Sequence, residues 1–394
     1  MGMSPRRVAH KIPLVFARRP VKEVQSTTRL LWITNHQAPY REPIWTRFAA
    51  ICDLSVCFLF AKEPNRHWVY ASSTAYSSEL VSGRRLRLRS LLEDESSDPW
   101  ALAFWFPLVR RVQAADVVLI GGWDQPAYLQ AALLCKWLRT PCVGFYEGTL
   151  TSQKHPSGLI AAVRQWFFRM QDAVLAAGGD AKVLLQRMGV DESRVTKTVN
   201  AVDTDFYSAA QNLRVPETQR THRYIYIGQL IPRKNVDGLL IAFSKLPSGA
   251  TLTVVGDGEQ AEVLRMLSTD LGLTQRVTFA GHLRAGDILS LFASHHTLVL
   301  PTHEDVWGMV VNEALAAGLN AVVSDKAGVI SSLRSLPSVF ECRPNPDSIA
   351  SAMLASRDAW IGWRTPPDIL SIDRVVRDVQ AALEFALAAP RRQA

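Results

Sequence analysis

The sequence alternates short apolar runs with turns and helical patterns, and this alternation limits the fold more than any other feature. In the second half, residues 224–227, 252–255 and 298–301 are apolar runs, and each is followed by a turn and then by a segment with helical periodicity. The first half contains similar units, beginning with residues 30–34. Strands that alternate with helices are typical of parallel sheets. We therefore expect an α/β protein.

The chain, at 394 residues, is long enough for two domains. Residues 208–222 are polar and show little periodicity, so we expect the linker between the domains there. The predicted division is a basic, mobile leader at 1–27, an N-terminal domain at 28–210, a C-terminal domain at 211–372, and a terminal helix at 373–394 that returns to the N-terminal domain.

The net charge of +8 belongs entirely to the first half of the chain. Residues 1–213 contain 26 Lys and Arg against 18 Asp and Glu, whereas residues 214–394 contain 18 of each. A basic excess favours an anionic membrane surface as a partner, and a solvated tail without a partner is the alternative. Nucleic acid is not an expected partner, because no recognition motif accompanies the charge.

Cysteine usage and hydropathy indicate the compartment. The five cysteines are an odd number without a CxxC pair, and most lie in apolar runs, so we expect buried free thiols in a reducing compartment. No apolar run reaches the roughly 18 residues that span a bilayer. We expect a cytoplasmic protein, with peripheral binding to the inner face of the cytoplasmic membrane as the form that the basic charge favours.

The segment 303–318 carries the clearest chemical signal in the sequence. Asp305 and Glu313 are separated by seven residues, and Gly308 lies between them where a helical pattern begins. The first N–H groups of such a helix suit a phosphate. Glu313 lies more than one turn into the helix and could reach a sugar or ribose hydroxyl. The alternative is that Asp305 caps the helix and Glu313 is a solvated side chain.

Three further turns follow predicted strands of the second half. The turn from Gly228 to Lys234 ends in two cations, which could neutralise a diphosphate, although the spacing is not that of a P-loop. A surface turn with solvated cations is the alternative. Gly256 belongs to a Gly-Asp-Gly turn that favours a plain connection between strand and helix. His282 could line the same crevice or serve only in its turn.

Taken together, these motifs resemble those of the family 4 retaining glycosyltransferases of the GT-B fold. The glycine turn with its lysine, the Gly-Asp-Gly turn, the Phe-Ala-Gly-His stretch at 279–282 and the paired acids occur in that family's order. Residues 172–206 also match, and the resemblance is strongest over 160–330 and weaker over 30–160. It implies two doubly wound, Rossmann-like domains that face a cleft.

The resemblance implies a donor site for a nucleotide diphosphate sugar, with a UDP-sugar or a GDP-sugar preferred. Lys234 would hold the diphosphate, and Asp305 or the neighbouring Glu304 would orient the sugar. Glu313 would bind the ribose. The family usually has an arginine at the position of Gln229, which leaves the phosphate clamp one charge short. The complete implied donor set is Gly228, Gln229, Arg233, Lys234, Gly256, His282, Leu283, Asp305, Gly308, Met309, Val310 and Glu313.

The resemblance also implies that the first half binds a hydroxyl acceptor, with a lipid-linked acceptor as one form. Residues that follow predicted strands at the cleft are the expected contacts, namely Asn35, His36, Tyr40, Arg41 and Trp123. Glu147 follows a third strand and is the expected polar residue near the donor sugar. The alternative for Asn35 and His36 is that they only make hydrogen bonds within their turn.

The implied reaction is retaining transfer of a hexosyl group in polysaccharide, glycolipid or other glycoconjugate biosynthesis. The departing diphosphate would itself take the proton of the acceptor hydroxyl, so no flanking carboxylate pair is needed. The expected catalytic residues are Asp305, Glu304, Lys234 and Glu147, with no metal and no further cofactor. Two alternatives remain open: a transferase-like binding protein without turnover, which Gln229 favours, and a sugar-nucleotide epimerase on the same fold.

Overall fold

The structure is a computed structural model that describes residues 23–61, 74–86, 100–150, 155–214 and 221–389. Most of the predicted basic leader and part of the predicted linker lie outside these ranges. Within them, the strands are β1 (Arg29–Thr34), β2 (Asp53–Phe58), β3 (Ser77–Leu80), β4 (Gly83–Leu86), β5 (Trp100–Ala103), β6 (Val117–Ile120), β7 (Cys142–Tyr146), β8 (Ala173–Ala177), β9 (Val195–Thr198), β10 (His222–Ile227), β11 (Ala250–Val255), β12 (Val277–Gly281), β13 (Thr297–Leu300), β14 (Asn320–Ser324) and β15 (Val339–Cys342).

The helices connect these strands and cover the sheets. They are α1 (Glu42–Ala49), α2 (Trp105–Ala114), α3 (Pro126–Leu138), α4 (Gly158–Met170), α5 (Gly178–Arg187), α6 (Thr204–Ser208), α7 (Val236–Ser244), α8 (Ala261–Asp270), α9 (Ala285–Ser294), α10 (Met309–Ala316), α11 (Ile330–Leu333), α12 (Pro346–Asp358) and α13 (Ile372–Ala388). No helix of the described ranges is both long enough and apolar enough to cross a membrane.

Two parallel sheets form the framework, and this confirms the predicted pair of doubly wound α/β domains. The first has the order β3-β2-β1-β6-β7-β8-β9 and the second the order β12-β11-β10-β13-β14-β15, and all their pairings are parallel. The strand order reverses direction at β1/β6 and at β10/β13. Ligands of open α/β sheets bind at the carboxyl ends of strands beside such a reversal.

Burial explains why the apolar runs identified in the sequence form central strands. Every residue of β6, β7, β8, β13 and β14 is buried, as expected for strands covered by helices on both faces. The five cysteines are also buried and unpaired, which confirms the expectation of free thiols. The small β4–β5 pair is antiparallel and lies outside the two main sheets.

Several elements differ from the sequence-based expectation. The helix expected at 183–188 begins five residues earlier, because the chain enters α5 directly at the end of β8. Part of the predicted linker is regular: α6 ends at residue 208, a 3-10 helix covers Ala209–Leu213, and β10 already begins at residue 222. The carboxylate of Asp203 caps α6 by accepting a hydrogen bond from the Phe206 amide at 2.9 Å. The helices α2, α4, α6, α11 and α12 and the strands β3, β4, β5 and β15 were not predicted.

The last helix, α13, packs against β8 and β9 of the first sheet. Its buried face consists of Val375, Val379, Ala382, Leu383 and Ala386. The two domains also contact each other directly beside the cleft. The Asn312 side-chain amide donates a hydrogen bond to the Asn200 carbonyl, and the Gly179 amide donates one to the Ser331 hydroxyl at 3.2 Å. The strand ends that face the cleft are thereby held close to one another.

Candidate active site

Three turns meet at the carboxyl ends of β10, β11 and β12. The Gly228 amide donates to the Val255 carbonyl at 3.0 Å, and the Gly256 amide donates to the Gly281 carbonyl at 2.8 Å. Gly256 has a φ of +134°, and a Cβ there would lie 1.8 Å from the Gly228 carbonyl oxygen. Only glycine fits at this position, which is why the turns of adjacent strands can approach so closely.

Lys234 lies at the end of the turn after β10 and forms an ion pair with Asp305, which follows β13. Both side chains are largely buried, with 12% and 16% of their surfaces exposed. The neighbouring Arg233 guanidinium donates a hydrogen bond to the Glu304 carbonyl at 2.8 Å. The segments 228–234 and 303–318, which are far apart in the sequence, are therefore joined into one site.

The start of α10 forms the next wall of this site. The residue that caps the helix is Gly308, with a φ of +98°, and no side chain caps it, so the alternative in which Asp305 caps the helix is wrong. A Cβ at Gly308 would lie 2.7 Å from the Leu300 side chain. The first amides of α10, at Met309 and Val310, have no partner within the helix and carry the positive end of its dipole.

Glu313 lies on the second turn of α10 and is only partly exposed, so the alternative of a solvated side chain is also wrong. Burial raises the pKa of its carboxyl to about 7, although a hydrogen bond with Tyr207 lowers it in part. Tyr207 belongs to α6, and burial beside the Glu313 carboxylate raises the pKa of its phenol. Tyr207 was not among the residues predicted from the sequence. Its position just after the matching segment 172–206 was the only available signal.

The other predicted donor residues differ in exposure. Gln229 and His282 are exposed, whereas Leu283 is partly buried against the core. The Tyr226 hydroxyl donates a hydrogen bond to the Gln229 carbonyl at 2.9 Å and so supports the turn from below. The Gln229 side chain is therefore at the surface of a turn whose backbone is held in place.

A cavity of about 710 Å³ lies at the carboxyl ends of β1, β6 and β7 and reaches the segment after β13. It brings together four of the predicted residues: Asn35, Trp123 and Glu147 from the first domain and Glu304 from the second. The parallel register explains this, because Ile33 of β1 pairs with Ile120 of β6 and Ile120 pairs with Gly144 of β7. The residues after these strands therefore lie side by side.

Three other predicted acceptor residues are not part of the cavity lining. His36 was expected to face the cleft, but it is buried and its ring stacks on Phe60 with 5.2 Å between centroids. Arg41 forms an ion pair with Glu147 at 3.1 Å and donates to the Thr34 hydroxyl at 2.9 Å. Tyr40 packs beside the Arg41 guanidinium, 5.7 Å from ring centroid to carbon. Arg41 thus fixes the Glu147 carboxylate from a position outside the cavity lining.

The helix α4, which was not predicted, forms a further wall of the cavity. Leu159, Ile160, Val163 and Arg164 lie on the cavity side of this helix. Among the described residues, no group of three or more His, Cys, Asp or Glu side chains is arranged to hold a metal ion. Lys234 and the first amides of α10 carry positive charge beside Asp305, and Arg164 carries positive charge in the cavity.

Comparison with known proteins agrees with this arrangement. Residues 211–355 match the family model described as Glycosyl transferases group 1, and residues 60–206 match Glycosyltransferase Family 4. The chain belongs to glycosyltransferase family 4. Family 4 membership accounts for both halves of the molecule, since the two matches fall on the two sheets and together include the turns, the paired acids and most of the cavity.

Individual relatives of this family 4 protein are distant. Glycogen synthase of Mycobacterium tuberculosis is 27% identical over 205 residues, which are 51% of this chain and 47% of the relative, so the match spans about half of the curated protein. The crystal structure of Anabaena Alr3699/HepE in complex with UDP and glucose superposes with a TM-score of 0.65 at 18% identity, covering 90% of this chain and 99% of the other. A putative UDP-N-acetylglucosamine 2-epimerase from Listeria monocytogenes superposes with a TM-score of 0.56 at 12% identity, covering 90% and 96%.

Proposed function

We propose that the protein transfers a hexosyl group from a nucleotide diphosphate sugar to a hydroxyl acceptor, with retention of anomeric configuration. The observation that carries this proposal is the union of the Lys234 turn, Asp305 and the start of α10 at one strand edge. A cation and free helix amides together suit a diphosphate. The acceptor cavity reaches the same loop through Glu304 and Val306, so donor and acceptor would meet there.

Each residue has a proposed role in the reaction. Lys234 and the amides of Met309 and Val310 stabilise the charge that develops on the departing diphosphate. Asp305 and Glu304 orient the sugar and stabilise positive charge on its ring, and the departing diphosphate takes the acceptor proton. Glu147, held by Arg41, lies on the acceptor side of the same cavity. Glu313 accepts hydrogen bonds from the ribose hydroxyls, with Tyr207 fixing its carboxyl group.

A UDP-sugar is the first donor to test, because the Anabaena protein was crystallised with UDP and glucose, and a GDP-sugar is the second. The acceptor belongs to polysaccharide, glycolipid or other glycoconjugate biosynthesis. We further propose that the basic first half docks on an anionic membrane surface from the cytoplasm. Sedimentation with anionic vesicles at low and high salt tests this, and the absence of any effect of vesicles or salt would reject it.

The second candidate is a binding protein without turnover. Gln229 is exposed on the donor turn where the family usually has an arginine. If the clamp is merely weak, Gln229→Arg raises turnover, whereas a binding protein stays inactive. The epimerase alternative shares the fold but needs no acceptor, so release of an epimerised sugar nucleotide in the absence of any acceptor would favour it.

The first experiment is thermal unfolding with a panel of UDP, GDP, ADP and dTDP. A ligand at about 100 times its dissociation constant adds roughly 2.7 kcal/mol, which is a shift of a few degrees for domains of this size. Lys234→Ala should abolish the response. Lys245→Ala is the matched control, since Lys245 forms a more exposed ion pair with Asp347 on the same domain. A folded protein that responds to no nucleotide would contradict the transferase.

A further inference from the structure

Arg164 is a buried cation that forms no ion pair with any residue of the described ranges. The residue is only 7% exposed, and its Nε atom is buried without a hydrogen-bond partner. One terminal nitrogen donates to the His155 carbonyl at 3.0 Å, and the guanidinium lies 5.2 Å from the centroid of the Trp123 ring. None of the ion pairs among the described residues involves Arg164. A buried charge without a counter-ion is costly, and a bound anion would offset that cost.

None of the three carboxylates that line the same cavity forms an ion pair with Arg164. Glu147 is neutralised by Arg41, as described above. Asp124 also lines the cavity, and its carboxylate lies near the Tyr128 ring. Glu304 belongs to the loop of the donor domain. The Arg164 side of the cavity is instead lined by the apolar side chains of α4, which lower the local dielectric and strengthen any ionic contact made there.

We propose that Arg164 binds an oxyanion group, a phosphate or a carboxylate, carried by the acceptor. This inference rests on the proposed function and names the substrate class of its acceptor site. The planar guanidinium presents several N–H groups in a fork that matches such oxyanions, and the Trp123 ring lies against the guanidinium. A cavity of about 710 Å³ is large enough for a sugar together with its charged substituent.

The same oxyanion could come from a soluble sugar phosphate, a uronic acid or a lipid-linked phosphate. The first turn of α4 has a surface that suits a lipid-linked phosphate. Leu159 lines the cavity yet is 81% exposed, and Ile160 beside it is 40% exposed. A phosphate ester with an apolar chain would cover both side chains. A water-soluble sugar phosphate would leave them exposed. Leu159→Ser should therefore weaken binding of a lipid-linked phosphate and leave binding of a soluble sugar phosphate unchanged.

The test compares ligand binding by the full-length protein and its variants in calorimetry and thermal unfolding. The probes are inorganic phosphate, glucose 6-phosphate, glucuronate and farnesyl phosphate, with glucose and ionic-strength-matched sodium chloride as controls. Arg164→Met removes the charge and keeps much of the volume. Arg169→Met is the matched control on the same helix, because Arg169 also donates to a backbone carbonyl, that of Met188 at 2.8 Å, but does not line the cavity.

Arg164→Met should weaken binding of at least one charged probe about tenfold or more. Arg169→Met should leave that affinity unchanged, and glucose should show no difference in affinity among the wild type and the two variants. Without ligand, Arg164→Met should be as stable as the wild type or more stable, because an uncompensated charge is removed. Equal affinities in all three proteins would overturn the proposal. If Arg164→Met does not fold, Arg164→Lys replaces it, since lysine keeps the charge but lacks the fork, and an unweakened charged probe would again reject the site.

These outcomes are separate from those of the nucleotide panel. Binding of an oxyanion probe needs neither donor nor turnover. A response that depends on Arg164 together with a silent nucleotide panel would keep the oxyanion site and reject the transferase. A responding panel with no effect of Arg164 would keep the transferase and reject the oxyanion site.

Discussion

Replacing Glu313 by glutamine should make the protein more stable and should reduce the pH dependence of its nucleotide affinity. Burial raises the pKa of this carboxyl from 4.5 to about 7. The folded protein therefore binds the proton more tightly than the unfolded chain, and this group's contribution to stability falls as pH rises from 4.5 to 7. This change in pKa corresponds to about 3 kcal/mol of unfolding free energy, which is an upper limit because the side chain is partly exposed.

Glutamine cannot ionise, and its carbonyl still accepts the hydrogen bond from Tyr207. Denaturant unfolding measures the free energy of unfolding of both proteins. The advantage of Glu313→Gln over the wild type should grow by up to about 3 kcal/mol as pH rises from 4.5 to 8. The comparison of two proteins at each pH cancels the titration of all other groups. A difference that stays constant over this range would show that Glu313 has an ordinary pKa in the folded protein.

The same pKa predicts a signature in donor binding. If only the carboxylate binds the ribose hydroxyls, wild-type affinity should rise about tenfold between pH 6 and pH 8, and a proton should be released on binding. Glu313→Gln should bind more weakly and without this dependence. Calorimetry with an intact sugar nucleotide is the suitable assay, because its diphosphate is esterified at both ends. An affinity of the wild type that is flat from pH 6 to pH 8 would refute the assigned role.

Three further outcomes are expected. Gly256→Ala should destabilise the protein by about 2 kcal/mol or more, because its Cβ would lie 1.8 Å from the Gly228 carbonyl oxygen. The control is Gly249→Ala, which should change stability little because no atom lies within 4 Å of its Cβ. Equal effects of the two substitutions would contradict the close packing of the turns. Burial lowers the pKa of His295 to about 4, so stability should fall as pH drops from 6.5 toward 4, and the advantage of the wild type over His295→Gln should shrink over that range; an advantage that does not change would contradict it. Tyr207→Phe should raise the pKa of Glu313 further and move the pH dependence of donor binding upward, as followed by calorimetry; an unchanged profile would remove Tyr207 from the site.

The sequence alone was sufficient for the fold class and for most of the elements near the site. Apolar runs such as those of β6 and β13 are long enough and continuous enough to indicate strands buried on both faces. Glycine turns after these strands are local signals, because the backbone requirement at Gly256 or Gly308 is met within a few residues. The paired acids and the lysine turn can therefore be located from the order of residues alone.

The tertiary structure decided which side chains meet. The Lys234–Asp305 ion pair joins residues 71 positions apart, and the hydrogen bond between Tyr207 and Glu313 crosses from α6 to α10. His36 was expected in the cleft but is buried against Phe60. Arg164 was not predicted and yet lines the cavity. Local pattern records the period and the turn chemistry of each element, but the direction and charge environment of a side chain depend on neighbours that only the packing of distant elements brings together.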